Sequence, residues 1–253
     1  MNVKIAELKV APNINLYHVG PPLDLGPLPS LFYFSLSGPD SLGLDPFNQP
    51  VQFSLGRMIR IFSLTLPAHE NDLPPTQALK VWAEDYAKGA DPLGEFLNQC
   101  ALAVDFAIRE KFGDPEKLAV AGLSRGGLLA FHLAAQDERF KSILAFAPIT
   151  RLSKMKEFVS LKPNPFFEAE NLAESLCDRS VRLYIGNQDV RVGTRFCFDF
   201  AMALTDCAKQ KKIRSPQIEC FITPSIGIDG HGTSPEVFRQ GTDWIASCLG
   251  IKL

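Results

Sequence analysis

The sequence predicts an α/β fold in which a mostly parallel central sheet carries helices on both faces. Short apolar segments typical of buried strands alternate with longer segments that repeat apolar residues every three or four positions. Strands separated by helices need crossover connections, which favour parallel pairing. Hydrophobic residues make up 46% of the 253, enough for a large core without disulfides or metals. We therefore expect a single domain over 1–253.

The first half of the chain combines candidate strands with two helices. Strands are predicted at residues 3–10, 15–19, 31–36 and 58–66, and helices at residues 76–88 and 92–112. The polar, proline-bearing 40s are predicted to be a loop. Asp91-Pro92 is a start signal for the second helix, in which apolar residues recur at helical spacing.

The second half alternates strands and helices more regularly. Strands are predicted at 118–124, 142–147, 181–185 and 218–223, and helices at 128–135, 194–210 and 234–248. The segment between 147 and 181 reads as irregular, with room for one crossover helix but not for a multi-helix lid. Because chemistry in parallel sheets lies at the carboxyl ends of strands, those ends are where we search for a site.

Composition excludes several classes of function. Lys and Arg total 26 against 28 Asp and Glu, a net charge of −2 that disfavours nucleic acid as a partner. No apolar run reaches the roughly 20 residues of a membrane span, and the first ten residues lack a secretory pattern. The six cysteines contain no Cys-x-x-Cys pair, which favours reduced thiols and a cytoplasmic location. No pattern indicates an oligomeric state.

One motif points to nucleophilic catalysis. Gly122-Leu123-Ser124-Arg125-Gly126 fits G-x-S-x-G, where small flanking residues let a strand turn sharply into a helix and expose the central side chain. An apolar run ends at Ser124 and a helical run follows, as this turn requires. We expect Ser124 to be the nucleophile; the alternative is a Gly-rich turn without chemistry.

A serine hydroxyl needs an imidazole to take its proton, and the chain has four histidines. His231 lies in a glycine-flanked loop between the last strand and the last helix and is the predicted base. His18 lies on an early strand and His132 lies two turns along the helix after Ser124. His69 follows the strand 58–66 and could approach the edge of the site, although a solvated loop residue is the simpler expectation.

The third residue must orient the imidazole and balance its charge, a task for a carboxylate at another strand end. Asp189 follows the strand 181–185, with room for one strand–helix unit on either side in the sequence. Asp229 is the rival, but its closeness to His231 makes support of the far ring nitrogen awkward. We therefore expect Asp189 to be the acid.

With the order Ser124, Asp189, His231, the chain resembles the α/β-hydrolase superfamily over nearly its whole length. Gly-Asn-Gln-Asp189 with the following Val-Arg-Val, and Gly-His231-Gly, are most similar to its dienelactone-hydrolase and prolyl-oligopeptidase-like branches. The resemblance implies a single-domain α/β-hydrolase fold without a large lid.

The resemblance also implies an oxyanion hole. One donor is the N–H of Arg125, and the second comes from the loop after the third strand. There the chain has Ser37-Gly38-Pro39, and proline lacks an N–H. Ser37 and Leu36 are the candidate donors, and Asp40 is an alternative if the loop curls back. The remaining hypothesis is that this loop is a turn that supplies no donor.

The predicted function is hydrolysis of small carboxylic esters through an acyl-enzyme, without cofactor or metal. Hydrolysis of peptides or amides is the second hypothesis. The expected binding partner is therefore a small ester or amide substrate. A non-catalytic binding protein with this fold is the third. The Arg125 side chain is expected to anchor the elbow through a salt bridge rather than to touch substrate. Three aromatic residues could wall the pocket, although core packing is the simpler expectation: Phe158, Phe166 and Phe167.

Overall fold

An eight-stranded sheet forms the centre of the protein in a computed structural model that describes residues 4–70 and 73–251. Its strands are β1 Ala6–Ala11, β2 Ile14–Val19, β3 Leu28–Phe34, β4 Arg60–Ser63, β5 Gly113–Leu123, β6 Phe140–Phe146, β7 Ser180–Gly186 and β8 Ile218–Thr223. Their order across the sheet is β1-β2-β4-β3-β5-β6-β7-β8. The first two pairings, β1–β2 and β2–β4, are antiparallel, and the remaining five are parallel.

Helices cover both faces of this sheet. They are α1 Gly38–Gly43, α2 Gln49–Ser54, α3 Ala78–Ala87, α4 Pro92–Arg109, α5 Arg125–Gln136, α6 Ala173–Leu176, α7 Thr194–Gln210 and α8 Pro235–Cys248. The predicted α/β fold with a mostly parallel, doubly covered sheet is confirmed. The predicted loop in the 40s was wrong, because that region holds α1 and α2. The Ser37 side chain caps α1 by accepting a hydrogen bond from the Asp40 N–H.

The strand β5 shows why the sequences of the central strands are continuous apolar runs. Leu118 and Val120 pack into the core on one face, together with α4 and α5. Ala119 and Ala121 point to the opposite face, where α1, α2 and α8 contribute to a second core. Since successive strand side chains alternate between faces, burial of both faces removes the polar alternation.

The connection between β6 and β7 departs from expectation. In place of a full crossover helix it holds 3₁₀ turns and the four-residue α6. It forms no multi-helix lid, as predicted.

Of the helices in residues 4–70 and 73–251, none combines the length and apolar character needed to cross a membrane.

Candidate active site

Ser124 occupies a strained turn between the end of β5 and the start of α5. Its backbone angles are φ 56° and ψ −114°, a region that costs a non-glycine residue on the order of 1–3 kcal/mol. Strain of this kind persists only where the surrounding packing enforces it. The turn lifts the Ser124 side chain out of the sheet at the carboxyl end of β5.

The two glycines of the motif are needed for close packing. A Cβ at Gly122 would lie 2.2 Å from the carbonyl carbon of Gly126, and a Cβ at Gly126 would lie 2.0 Å from the Phe34 oxygen. Both distances are far inside van der Waals contact, so α5 could not approach β5 and β3 with larger residues there. The motif therefore reflects the geometry of the elbow.

Asp189 lies just beyond β7, and its carboxylate is fully buried. Its Oδ1 accepts hydrogen bonds from the backbone N–H groups of Arg191 and Val192, each at 3.0 Å. Its Oδ2 faces His231 Nδ1 at 2.7 Å. These three bonds fix the carboxylate and satisfy its buried oxygen atoms.

His231 completes a hydrogen-bonded chain of three side chains. Its Nδ1 donates to the Asp189 carboxylate, which leaves Nε2 to accept the Ser124 hydroxyl at 2.9 Å. The loop is held against Asp189's own loop by Gly230, where φ is 65° and a Cβ would lie 2.1 Å from the Gln188 oxygen. The structure thus brings together the three residues that the sequence singled out.

The rival residues lie elsewhere. The backbone oxygen of Asp229 accepts the Val190 N–H, and no side-chain bond joins Asp229 to His231 among the described residues. His18 is buried on β2 beside Phe62. His132 Nε2 pairs with the Phe166 carbonyl, and burial lowers its pKa to about 4.

The expected oxyanion donors are only partly in place. The Arg125 N–H, at the start of α5, has no acceptor among the described residues and is available. Leu36 lines the cleft, but its N–H donates to Ser41 Oγ at 2.9 Å. Ser37 lies outside the cleft lining and caps α1. The interpretation of Leu36 as a free donor needs this correction, because Ser41, which the sequence did not indicate, accepts the Leu36 N–H. The Ser37 N–H has no acceptor among the described residues, and its role as the second donor stays a prediction.

A cleft of about 420 Å³ opens over Ser124 and His231. Its other lining residues are Ser35, Leu36, Pro46, Phe47, Pro75, Thr76, Leu123, Arg125, Arg191, Ile226, Gly232, Thr233 and Phe238. The three phenylalanines proposed as a wall do not line it. Phe158 and Phe167 pack against Tyr86, and Phe166 stacks on His132.

The Arg125 side chain lacks the expected salt bridge within the described part of the chain. Its Nη1 instead donates to the Pro75 carbonyl and to His69 Nε2. His69 is buried, and burial together with the charge of Arg125 lowers its pKa to about 4. The sequence allowed His69 to approach the edge of the site, but it did not indicate the hydrogen bond with Arg125, which depends on a loop that folds back over the elbow.

The chain is similar in sequence to known proteins. Residues 94–252 match the prolyl oligopeptidase family. The acylamino-acid-releasing enzyme of Arabidopsis thaliana is 35% identical over 74 residues, a stretch that covers 29% of this chain but only 10% of the plant enzyme.

Solved structures are similar over nearly the whole chain. TT1662 from Thermus thermophilus has a TM-score of 0.72 at 17% identity, covering 98% of this chain and 99% of that one. A putative dienelactone hydrolase from Klebsiella pneumoniae gives 0.69 at 16% identity, with 98% of each chain covered. The acylaminoacyl peptidase of Pyrococcus horikoshii gives 0.66 at 15% identity, covering 98% of this chain and 40% of the peptidase. At such identities these likenesses establish the fold, and the predicted single-domain α/β-hydrolase fold is confirmed.

Proposed function

From the premise that this chain belongs to the prolyl oligopeptidase family, we propose that it is a serine hydrolase that cleaves small carboxylic esters through an acyl-enzyme. Family membership supports a serine hydrolase of the peptidase type. The observation that carries the proposal is the continuous hydrogen-bonded chain from Asp189 through His231 to Ser124. No other residues are required for the proton transfers described next.

In the proposed mechanism Ser124 Oγ attacks the carbonyl carbon of the bound ester. His231 Nε2 takes the hydroxyl proton as the C–O bond forms, then gives it to the leaving alkoxide as the tetrahedral intermediate collapses. Water repeats the sequence on the acyl-enzyme and releases the acid. Asp189 holds the imidazole in the productive tautomer and stabilises its positive charge without itself taking the proton.

The Arg125 N–H is the proposed donor to the oxyanion. It stands at the amino end of α5, where the helix has unpaired N–H groups and a partial positive charge. Donors fixed before reaction stabilise developing charge without reorganisation. The strained backbone of Ser124 supports this assignment, because it places the nucleophile directly before that N–H.

Small esters suit the site because it is a modest, open cleft without a lid. A volume of about 420 Å³ accommodates a short acyl group and its leaving group.

Hydrolysis of peptides or amides is the second candidate function. The family match and the likeness to the plant acylamino-acid-releasing enzyme favour it.

A matched pair of substrates tests the proposal. Turnover of p-nitrophenyl butyrate is compared with that of butyryl p-nitroanilide, which differs only in the atom that leaves. Faster ester cleavage that disappears in Ser124→Ala supports an esterase. Preference for the anilide would favour the peptidase, and absence of turnover with both would favour the binding protein.

We extend the proposal to a cytoplasmic location. All six cysteines carry free thiols. The sulfur atoms of Cys177 and Cys207 lie 3.1 Å apart without being bonded. Thiols this close would be prone to form a disulfide in an oxidising compartment, so free thiols here fit the reducing cytoplasm.

A further inference from the structure

Two guanidinium groups line the cleft of Ser124. Arg125 is almost fully buried and follows Ser124 directly, and Arg191 is exposed and follows Asp189 by two positions. Among residues 4–70 and 73–251 neither has a carboxylate within 4.0 Å. Most other arginines are paired, for example Arg139 with Asp105 and Asp137, and Arg151 with Glu170. Arg60 also lacks a carboxylate partner in the described part of the chain, but it is buried outside the cleft and donates to four backbone carbonyl groups.

Arg125 is held in place by neutral acceptors. Its Nη1 donates to the Pro75 carbonyl and to His69 Nε2. The His69 Nδ1 faces the Pro67 carbonyl at 2.9 Å, and since a carbonyl only accepts, that nitrogen carries the ring proton. The His69 ring is therefore in the tautomer whose Nε2 is unprotonated and can accept a hydrogen bond from Arg125. The remaining nitrogens of Arg125, Nε and Nη2, make no hydrogen bond within the described residues.

The two positive charges of Arg125 and Arg191 repel each other. Burial, and next the positive charge of Arg191, lower the pKa of Arg125 to about 10. Glu157 acts in the opposite direction and raises the pKa of Arg125, but it does not pair with Arg125 within 4.0 Å. Arg125 therefore remains protonated at neutral pH, and the cleft carries positive charge without a paired carboxylate beside an apolar lining. An anion bound there would gain charge-assisted hydrogen bonds, and planar guanidinium groups match the two oxygens of a carboxylate.

We propose that the substrate of this site carries a free carboxylate, bound by Arg125 and Arg191, in addition to the bond that is cleaved. This inference rests on the proposed function for the identity of the nucleophile, and it narrows the substrate from small esters or amides to anionic ones. His69 acts as a positioning residue, because it orients the Arg125 guanidinium without reaching the substrate.

Two pairs of substrates test the proposal, one for each side of the cleaved bond. On the acyl side, the p-nitrophenyl monoester of adipic acid is compared with its neutral methyl diester. On the leaving-group side, 4-acetoxybenzoate is compared with 4-acetoxybenzamide. We expect at least about a tenfold higher kcat/KM for the anionic member of one pair, mainly through KM, with the advantage shrinking as salt is added. Equal values, or a preference for the neutral member, in both pairs would overturn the proposal.

Substitutions assign the preference to the two arginines. Arg191→Met and Arg125→Met should each reduce the anionic-to-neutral ratio of kcat/KM by about tenfold. Arg195→Met is the matched control, because Arg195 is an exposed arginine of α7 outside the cleft lining and pairs with Asp199. His69→Phe removes the acceptor for Arg125 and should lower the same ratio. An unchanged ratio in both Arg125→Met and Arg191→Met would contradict the assignment.

Binding to Ser124→Ala separates this proposal from the proposed function. That variant is unable to form the acyl-enzyme, so calorimetry reports affinity alone. At least about tenfold tighter binding of the anionic member in either substrate pair supports the carboxylate subsite even if the wild type turns over no ester. Equal affinity within both pairs would reject the subsite even if neutral esters are hydrolysed.

Discussion

Two groups of charged residues share the cleft and differ in how their charges are balanced. The Asp189 carboxylate is buried and receives three hydrogen bonds, one of them from His231. Arg125 and Arg191 face the same cleft without a carboxylate partner among the described residues. The first, assembled group is fully hydrogen-bonded within the protein itself, as the chemistry requires. The proposed role of the second group needs a substrate that supplies negative charge. Charge balance thus distinguishes the residues that carry out the reaction from those proposed to bind the substrate.

The largest expected effect comes from breaking the assembled group. Ser124→Ala and His231→Ala should each lower kcat for an ester by about 10⁴- to 10⁶-fold, because nucleophile and base act as a unit. The double variant should be little worse than either single one, as measured by steady-state kinetics. Losses that multiply in the double variant would show that the two residues act separately.

Removing the charge of the acid gives the next largest effect. Asp189→Asn should lower kcat by roughly 10⁴-fold, since an amide can hold the wrong histidine tautomer and does not balance the imidazolium charge. Asp229→Asn is the matched control, because only the backbone of Asp229 contacts the neighbouring loop through Val190. Kinetics in which Asp229→Asn is the crippling change would overturn the choice of acid.

A smaller loss is expected from displacing the histidine loop without touching its side chain. Gly230→Ala would bring a Cβ 2.1 Å from the Gln188 oxygen and should shift His231, lowering kcat by about 10²-fold. Gly227→Ala is the control in the same loop, since it also has positive φ but meets nothing within 4 Å. Equal kcat values for the two variants would mean that the close contact does not position His231.

The smallest effect concerns the support of the arginine pair. Native His69 has its pKa lowered to about 4, mainly by burial, whereas an unfolded histidine titrates near about 6.5. The unfolded state thus binds more protons between these values. The contribution of His69 to the free energy of unfolding is complete above pH 6.5 and falls as pH drops toward 4, by about 1 kcal/mol per pH unit. Urea denaturation of His69→Gln should show a correspondingly weaker pH dependence, and an unchanged slope would contradict burial of neutral His69.

The assembled group was within reach of sequence analysis, and the arginine pair was not. Ser124 lies in a motif whose glycines are required by local contacts with Gly126 and Phe34. Asp189 and His231 each follow a strand that is recognisable from its own residues. Such signals are local, so they survive without knowledge of the tertiary structure.

The features that were missed depend on how distant loops meet. The roles of Arg191 and of the hydrogen bond between His69 and Arg125 depend on loops that reach the same elbow. The role of Ser41 depends on α1, which brings its hydroxyl to the Leu36 N–H. α1 and α2 are six residues each, too short for an apolar repeat to be visible.

The most direct test of the central claim is labelling with a fluorophosphonate, which reacts with an activated serine hydroxyl, followed by peptide mapping. We expect a single modified residue, Ser124, with labelling abolished in Ser124→Ala and strongly slowed in His231→Ala. The exposed Ser160 and Ser215 provide internal controls that should remain unlabelled. Modification at another serine, or none at Ser124 under conditions that label a known serine hydrolase, would contradict the account.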